Sequence, residues 1–483
     1  MEYKWVALSN TTIGVLMSSL DINIVLIALP TIGKDLQGMN AFNVLWVILG
    51  YQLVIASFLV NFGRLSDMFG RVKLYNIGFA LFTLGSALCG LSQNADQLIS
   101  FRLVQATGAA FLFSNSAAII TDAFPVNERG KALGINQISI VAGSVTGLIL
   151  GGALTTLVGW RWIFWVNVPI GIFATLWSYL KLRELSALSS DHRLDIGGNV
   201  TFAASLLLFL LAITMNAITE IPLYLTISMI VAAVVLLGIF VYIEKKSPNP
   251  MFDLSLFRNR VFNAGNETIF LNSLSRGSFS LVMVFYLQGP LMGLTPLEAG
   301  LFLIPMSISL SIMGPISGSL SDRFGYQKPV LVGLLISAVG FIIMANIGTH
   351  ITEIQMIVPL VLIGSGMGIF ASPNRSSIMN SVPGPRRGVA SGISSTLVNA
   401  GNTMSIGIAF VLMELSTPKS VLDGIFSGTG STLKTFSPSG FVNSVHLVFY
   451  VSAAMLVISM LIYMAVAIRR KMGKAIIQAS ARA

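Results

Sequence analysis

Apolar runs of about 20 residues, each long enough to cross ~30 Å of hydrocarbon, recur along the whole chain. They fall at residues 6–29, 42–62, 75–92, 97–120, 134–157, 162–180, 200–218, 221–243, 262–288, 298–317, 330–348, 354–379, 389–415 and 444–468. Short polar segments separate them. The pattern predicts an all-α polytopic membrane protein of fourteen spans, because in hydrocarbon a helix satisfies every backbone group within its own segment. Two longer polar stretches stand apart. Residues 181–199 form a charged linker after the sixth run, and residues 416–443, rich in Gly, Ser, Thr and Pro, read as a flexible surface loop.

One nine-residue segment occurs twice. Gly63-Arg64-Leu65-Ser66-Asp67-Met68-Phe69-Gly70-Arg71 reappears as Gly318-Ser319-Leu320-Ser321-Asp322-Arg323-Phe324-Gly325-Tyr326, each copy joining one apolar run to the next. The copies start 255 residues apart. Six spans with short loops need roughly 190–200 residues, so the surplus fits two extra helices. Those are 200–218 and 221–243, joined at Thr219-Glu220; they carry almost no polar residues and are expected to be peripheral and lipid-facing. The organisation is then a six-helix bundle (1–180), a linker (181–199), an inserted hairpin (200–243), a second linker (244–261), a second six-helix bundle (262–468) and a basic tail (469–483). A doubled membrane protein points to a transporter.

Composition agrees: of 483 residues, 54% are hydrophobic and only 10% charged, against about 25% charged in a soluble protein. A net charge of +10 would suit nucleic acid, but its placement argues against that partner. Of the 29 Lys and Arg, Lys34, Arg161, Lys419 and Lys434 lie in loops on one side, and Arg102, Arg276 and Arg375 lie within spans. The other 22 occupy loops and tails of the opposite side. The positive-inside rule makes that side cytoplasmic, with both termini on it. No small-residue cleavage site follows Met1-Glu2-Tyr3-Lys4, so the first run is expected to be a span and not a removed signal. Cys89 is alone, so no intrachain disulfide forms; His192, His350 and His446 are scattered, so no metal site is expected; no G-x4-G-K-[ST] loop is present, so ATP is not the expected driver. No cofactor is expected, and no soluble catalytic domain is evident.

Several motifs carry a family resemblance over nearly the whole chain. Gly63–Leu74 resembles the loop signature G-x-L-a-D-r-x-G-r-k-x-x-l of the major facilitator superfamily. Leu20-Asp21-Ile22-Asn23-Ile24-Val25-Leu26-Ile27-Ala28-Leu29-Pro30 is similar to L-D-x-T-I-V-N-V-A-L-P of its fourteen-span drug:proton antiporter family, with Asn23 for Thr and Leu26 for Asn. Arg102-x2-Gln105-x2-Gly108 resembles the fourth-span signature, and Trp160-Arg161-Trp162-Ile163-Phe164-x2-Asn167-x-Pro169 matches W-R-W-x-F-x-x-N-x-P. The antiporter signature G-P-x-x-G-G reads Gly147-Leu148-Ile149-Leu150-Gly151-Gly152, with Leu148 in place of proline. In the second half, Gly388-Val389-Ala390-Ser391-Gly392 and Gly401 resemble G-x-A-S-G-x(n)-G.

Each motif carries a physical expectation. Gly63 and Gly70 would permit close approach and a sharp turn; Asp67 would accept from a helix N-terminus or a cation; Arg71 and Lys73 would sit at the anionic inner leaflet. By resemblance this loop, with its second copy Gly318, Asp322 and Gly325, is a conformational latch, and Asp122 is expected to pair near Arg71. Gly143, Gly147, Gly151 and the adjacent Gly152 make a smooth helix face for close packing. Pro305 and Gly314-Pro315 can bend the tenth span.

An ionisable residue deep in a span is a functional candidate by default. Asp21, Arg102, Glu267, Arg276 and Arg375 all fall on spans that the resemblance assigns to a central cavity, with Asn23 and Gln105 beside them. Glu267 and Arg375 are a candidate pair. The resemblance implies a monomeric cell-membrane exporter of amphipathic small molecules, driven by the proton gradient through alternating access. Asp21 is the first choice for the proton-carrying carboxylate and Glu267 the second. A transporter of one specific metabolite or anionic solute, or a non-transporting membrane sensor or scaffold, remains as an alternative.

Overall fold

A computed structural model describes residues 2–125, 128–185, 195–218, 221–248, 250, 252–347, 353–383, 386–427 and 438–480, without the side chains of 217–218, 322, 353–354, 388, 438 and 467–480. Thr219-Glu220, His192 and His350, most of the 181–199 linker, residues 428–437 of the Gly/Ser-rich loop and the side chain of Asp322 therefore lie outside the described residues. Among the described residues, fourteen helices are long and apolar enough to cross a membrane. Spans 1 to 7 are Tyr3–Asp35, Ala41–Phe69, Arg71–Leu91, Ala95–Ala123, Arg129–Leu157, Trp162–Lys181 and Ile196–Asn216. Spans 8 to 14 are Leu223–Lys246, Arg260–Gln288, Pro296–Ser321, Gln327–Met344, Gln355–Asn380, Val389–Glu414 and Ser439–Val466.

Side-chain caps start several of these helices. Asn40 and Asn94 each accept from an amide three residues on, at 2.8 and 2.9 Å, and open spans 2 and 4; Asn259 accepts from the amides two and three residues on, at 2.9 and 3.4 Å, and opens span 9. The helix of span 10 runs unbroken through Pro305 and Pro315. Span 9 instead consists of two helices, Arg260–Arg276 and Phe279–Gln288.

By packing, the chain divides into two units. The first holds Met1–Met251, Ser280–Ile304 and Ile406–Phe441; the second holds Phe252–Phe279, Pro305–Ser405 and Val442–Ala483.

Within the first unit, the glycine face of span 5 lies on span 1. A Cβ at Gly143 would stand 2.6 Å from the Leu16 carbonyl oxygen, at Gly147 2.6 Å from that of Leu20, and at Gly151 2.9 Å from Ile24 Cα. Gly152 faces elsewhere: its Cβ would stand 2.6 Å from the Pro296 carbonyl oxygen. One helix thus meets two neighbours through consecutive glycines, and Gly300 of span 10 returns the contact, 2.5 Å from the Leu148 carbonyl oxygen. Gln288 donates to the Ile27 carbonyl at 2.9 Å on the same side of the unit. The 416–443 stretch is not wholly an irregular loop. Lys419–Phe426 is a helix that buries Val421, Leu422, Ile425 and Phe426, and its Asp423 accepts from the Ala41 amide at 2.9 Å. Its apolar residues cluster at helical spacing among loop-forming neighbours, which masks them in composition.

The inserted pair is only half as expected. Span 8 exposes Leu223, Tyr224, Val231, Val234 and Val235, as a lipid-facing helix should. Span 7 is packed: Asn199 donates to the Ser57 carbonyl, Trp46 donates to Thr214 Oγ1 at 3.4 Å, and Ile213 lies against Gly407. The ends of the pair also bring two carboxylates together, Asp195 (7% exposed) and Glu244 (3%). Gly198 fits between them, since a Cβ there would stand 2.6 Å from Glu244 Oε1 and 2.9 Å from Asp195 Oδ1. Arg64, in the first copy of the repeated nine-residue motif, is in electrostatic contact with both carboxylates and donates to the Pro250 carbonyl. Arg64→Gln removes a cation whose charge both carboxylates feel, and a loss of about 1 kcal/mol is expected. A lowered melting temperature in detergent, recovered in Arg64→Gln with Asp195→Asn, is the check.

Candidate functional site

Five spans of the first unit converge on Asp21. Arg102 and Gln105 lie one turn apart on span 4, so they share a face. Arg102 Nη1 donates to Asp21 Oδ2 at 2.5 Å, and Gln105 Nε2 donates to Oδ1 at 2.8 Å. Gln105 also accepts from Arg102 at 2.7 Å, which closes a three-residue ring. Span 6 contributes Asn167, whose amide donates to Asp21 Oδ1 at 3.0 Å and to Ser86 Oγ of span 3 at 3.4 Å. Span 2 contributes Tyr51, whose ring lies 4.1 Å beneath the Arg102 guanidinium, and the Val47 carbonyl, which accepts from Arg102 Nε at 3.4 Å.

The local sequence explains the convergence. Gly85 lets span 3 touch span 4: a Cβ there would stand 2.6 Å from Gln105 Cα. The Trp-Arg-Trp segment seats span 6, since Arg161 stacks on Trp160 and donates to the Ser92 carbonyl at 3.1 Å, while Ser86 donates to the Phe164 carbonyl at 2.9 Å. Those contacts place Asn167 three residues on from Phe164, one helical turn deeper.

The cluster is sealed. Asp21, Gln105 and Asn167 are 0% exposed and Arg102 is 1%. In this conformation they form a closed polar core and not the wall of an open pathway. Asp21 accepts all three donors as a carboxylate, which has acceptor sites only; a proton arriving there turns one oxygen into a donor and displaces a bond. Asn23 stays outside the cluster: it donates to the Ser19 carbonyl at 3.0 Å and lies against Gly147. Tyr51 and Ser86 were not singled out from the sequence, and Asn167 stood there only as a motif position; a buried amide inside a span was the available signal for its place beside Asp21.

The Gly63–Arg71 motif is more helix than loop. Span 2 continues to Phe69, so Gly63 is helical, with no neighbouring atom within 4 Å of a built Cβ, and requires no glycine for approach. Gly70 does require it, at φ +105, as does Gly325 at +75 in the second copy. Arg71 joins three spans: Nε donates to Asp67 at 2.8 Å, and Nη1 to both oxygens of Asp122 at 2.7 and 2.8 Å. The expected Asp122 partnership is therefore present. Asp67 faces this cation; the N-terminus of span 3 is met instead by Glu184, whose carboxylate accepts from Val72 at 2.9 Å. Lys73 is exposed. Gly318 packs on Ser372 Oγ, 3.1 Å from a built Cβ. Arg71→Ala leaves two half-buried carboxylates unpaired, and a loss of about 1–2 kcal/mol is expected in detergent melts, above that of an exposed pair.

In the second unit the buried charges do not assemble. Glu267 is exposed and accepts from Asn263 on its own helix at 2.8 Å; Arg375 is exposed and donates to Ser391 at 3.1 Å. The expected Glu267–Arg375 pair does not form among the described residues. Arg276 is half-buried at the end of the first helix of span 9. No group of His, Cys, Asp and Glu fit to hold a metal ion occurs among the described residues.

Among the described residues fourteen helices are long and apolar enough to cross a membrane, and the first unit seals an ion pair from water, an arrangement that suits a multi-pass membrane transporter. The sequence pattern of the Major Facilitator Superfamily matches residues 11–405 and 268–481, and the chain belongs to that family. It is 35% identical to the riboflavin transporter RibZ of Clostridioides difficile, over 85% of this chain and 88% of that one. It is 33% identical to the multidrug resistance protein Stp of Mycobacterium tuberculosis, over 82% and 74%. The fold is similar to that of an auto-inhibited POT family peptide transporter, with a TM-score of 0.69, 16% identity and 97% of both chains covered.

Proposed function

We propose that the protein is a proton-coupled exporter of amphipathic small molecules, working by alternating access in the cell membrane, with both termini cytoplasmic and no cofactor beyond the proton gradient. The observation that carries this reading is the Asp21–Arg102–Gln105–Asn167 cluster. A carboxylate inside a membrane span is costly and is retained where it has work to do. Arg102 does not release its proton, so Asp21 is the exchangeable member, and Arg102 is the counter-charge it returns to. Relatives named multidrug resistance proteins support a broad range of cargo; the relative named a riboflavin transporter supports a planar polar one. Proton entry is worth about 2.3 kcal/mol per 100 mV of membrane potential, enough for useful accumulation.

Liposomes containing the purified protein, loaded with several unrelated dyes under an imposed pH gradient, test the reading. Gradient-driven movement of more than one dye is expected. Movement independent of the gradient removes the proton coupling, and movement of a single compound class removes the multidrug assignment.

A further inference from the structure

Span 9 breaks deep within the span. Its first helix ends at Arg276, roughly 24 Å from its start, and its second begins at Phe279. The break is held in place. Ser278 N–H donates to Ser405 Oγ at 2.9 Å, and Gly277 presses on span 13, where a Cβ would stand 2.5 Å from Asn402 Cα. Several polar groups of this helix are paired: Asn266 accepts from Ser394 at 2.7 Å, and Ser275 and Ser452 exchange hydroxyl–carbonyl bonds at 2.9 and 2.7 Å.

At the break the pairing stops. A guanidinium offers five N–H donors and no acceptor, and Arg276 spends none of them on a protein group among the described residues. Ser273, three residues back on the same face, is 1% exposed, and neither its hydroxyl nor Asn402 Oδ1 beside Gly277 has a partner among the described residues. No carboxylate of the described residues is within ion-pair distance of Arg276, since Glu267 lies nine residues away and bonds to Asn263. The helix C-terminus that Arg276 closes carries partial negative charge, which explains how the cation is tolerated there. It leaves the five donors unspent. Where a membrane helix is interrupted, the N-terminal end of the following half-helix favours an anion, and here that end is Phe279, next to Ser278.

We infer that the break in span 9 is an anion-docking site, in which Arg276 and the Ser273 hydroxyl take a carboxylate, sulfonate or phenolate oxygen of an amphipathic organic anion or zwitterion. This names the polar end of the cargo and, as a step in turnover, rests on the transport reading; the binding itself does not. Fluorescein and rhodamine 123 share a ring system and differ in charge, so they isolate that end. Fluorescence anisotropy with the purified full chain should show fluorescein affinity falling about 10-fold in Arg276→Gln and recovering in part in Arg276→Lys, which keeps the charge without the fork. Ser273→Ala should weaken fluorescein about 3-fold, and rhodamine 123 should change less than about 2-fold in all three. Wild-type protein that does not hold fluorescein, or variants that lose both dyes equally, overturn the site. Nanodiscs of neutral and of anionic lipid separate cargo from lipid headgroup: an Arg276 dependence that vanishes in the anionic lipid assigns the site to a headgroup phosphate and overturns the cargo assignment. Fluorescein binding without gradient-driven movement of any dye keeps this site and removes the transport reading. Gradient-driven rhodamine movement without fluorescein binding does the reverse.

Discussion

Asp21→Asn is expected to abolish gradient-driven transport while the protein stays in the membrane. Asn keeps the shape of the side chain and loses the charge opposite Arg102, which is then buried against Tyr51 with no anion. Breaking a buried pair from one side costs about 3–5 kcal/mol, so the single variant is also expected to melt earlier in detergent. Adding Arg102→Gln removes the stranded cation. The double variant should recover most of the lost stability and none of the transport, which separates the proton-carrying role from a structural one. Full coupled transport in Asp21→Asn, or in the double variant, would sink the assignment.

Gly147→Val is the second large effect. Its built Cβ already stands 2.6 Å from the Leu20 carbonyl oxygen and 3.0 Å from Asn23 Cβ, so any side chain pushes span 5 off span 1 beside Asp21. Backbone cannot swing aside as a side chain can. Overpacking of this kind costs about 1–3 kcal/mol or more, and a displacement beside the charge pair is expected to lower transport about 10-fold or further. Gly134 on the same helix is the control, with nothing within 4 Å. Gly134→Ala should leave transport unchanged and raise stability by about 0.4–1 kcal/mol. Equal damage from both variants would show that packing on span 1 is not the reason.

Fourteen spans were legible because lipid imposes a length and an apolar content on every one of them, and a run of ~20 residues is hard to mistake. The glycine face of span 5 was legible for the same kind of reason: small residues four apart have one use in a helix. Arg71 with Asp122 could be proposed from residue type and position, and Asp21 and Arg102 could each be singled out as charges inside a span, though not as partners. What was not legible is which face each side chain takes. Glu267 and Arg375 sit on neighbouring spans at similar depth and still turn apart. The break in span 9 left no proline to announce it; Ser275-Arg276-Gly277-Ser278 costs a helix only modestly, and it is the close approach of Asn402 and the hydroxyl of Ser405 that decide the matter. Asn167 reads as part of a motif until span 6 is seen to aim it at Asp21. Asp195 and Glu244 read as loop charges until the ends of the inserted pair are brought to Arg64.

The first packing unit takes segments from well beyond the middle of the chain: Ser280–Ile304, which supplies Gln288 and Gly300, and Ile406–Phe441, which supplies Asp423 and Phe426. The ribosome therefore delivers residues 1–251 long before the unit has all its parts. Roughly 190 residues separate Met251 from Phe441, and at about 5–20 residues per second the wait is on the order of 10–40 s. Gln288 and Pro296 are made early in that interval, while the start of span 2 has no Asp423 for nearly all of it. The nascent chain must spend it sheltered by lipid or an insertion partner, and premature termination anywhere before Phe441 leaves even its first half unfinished.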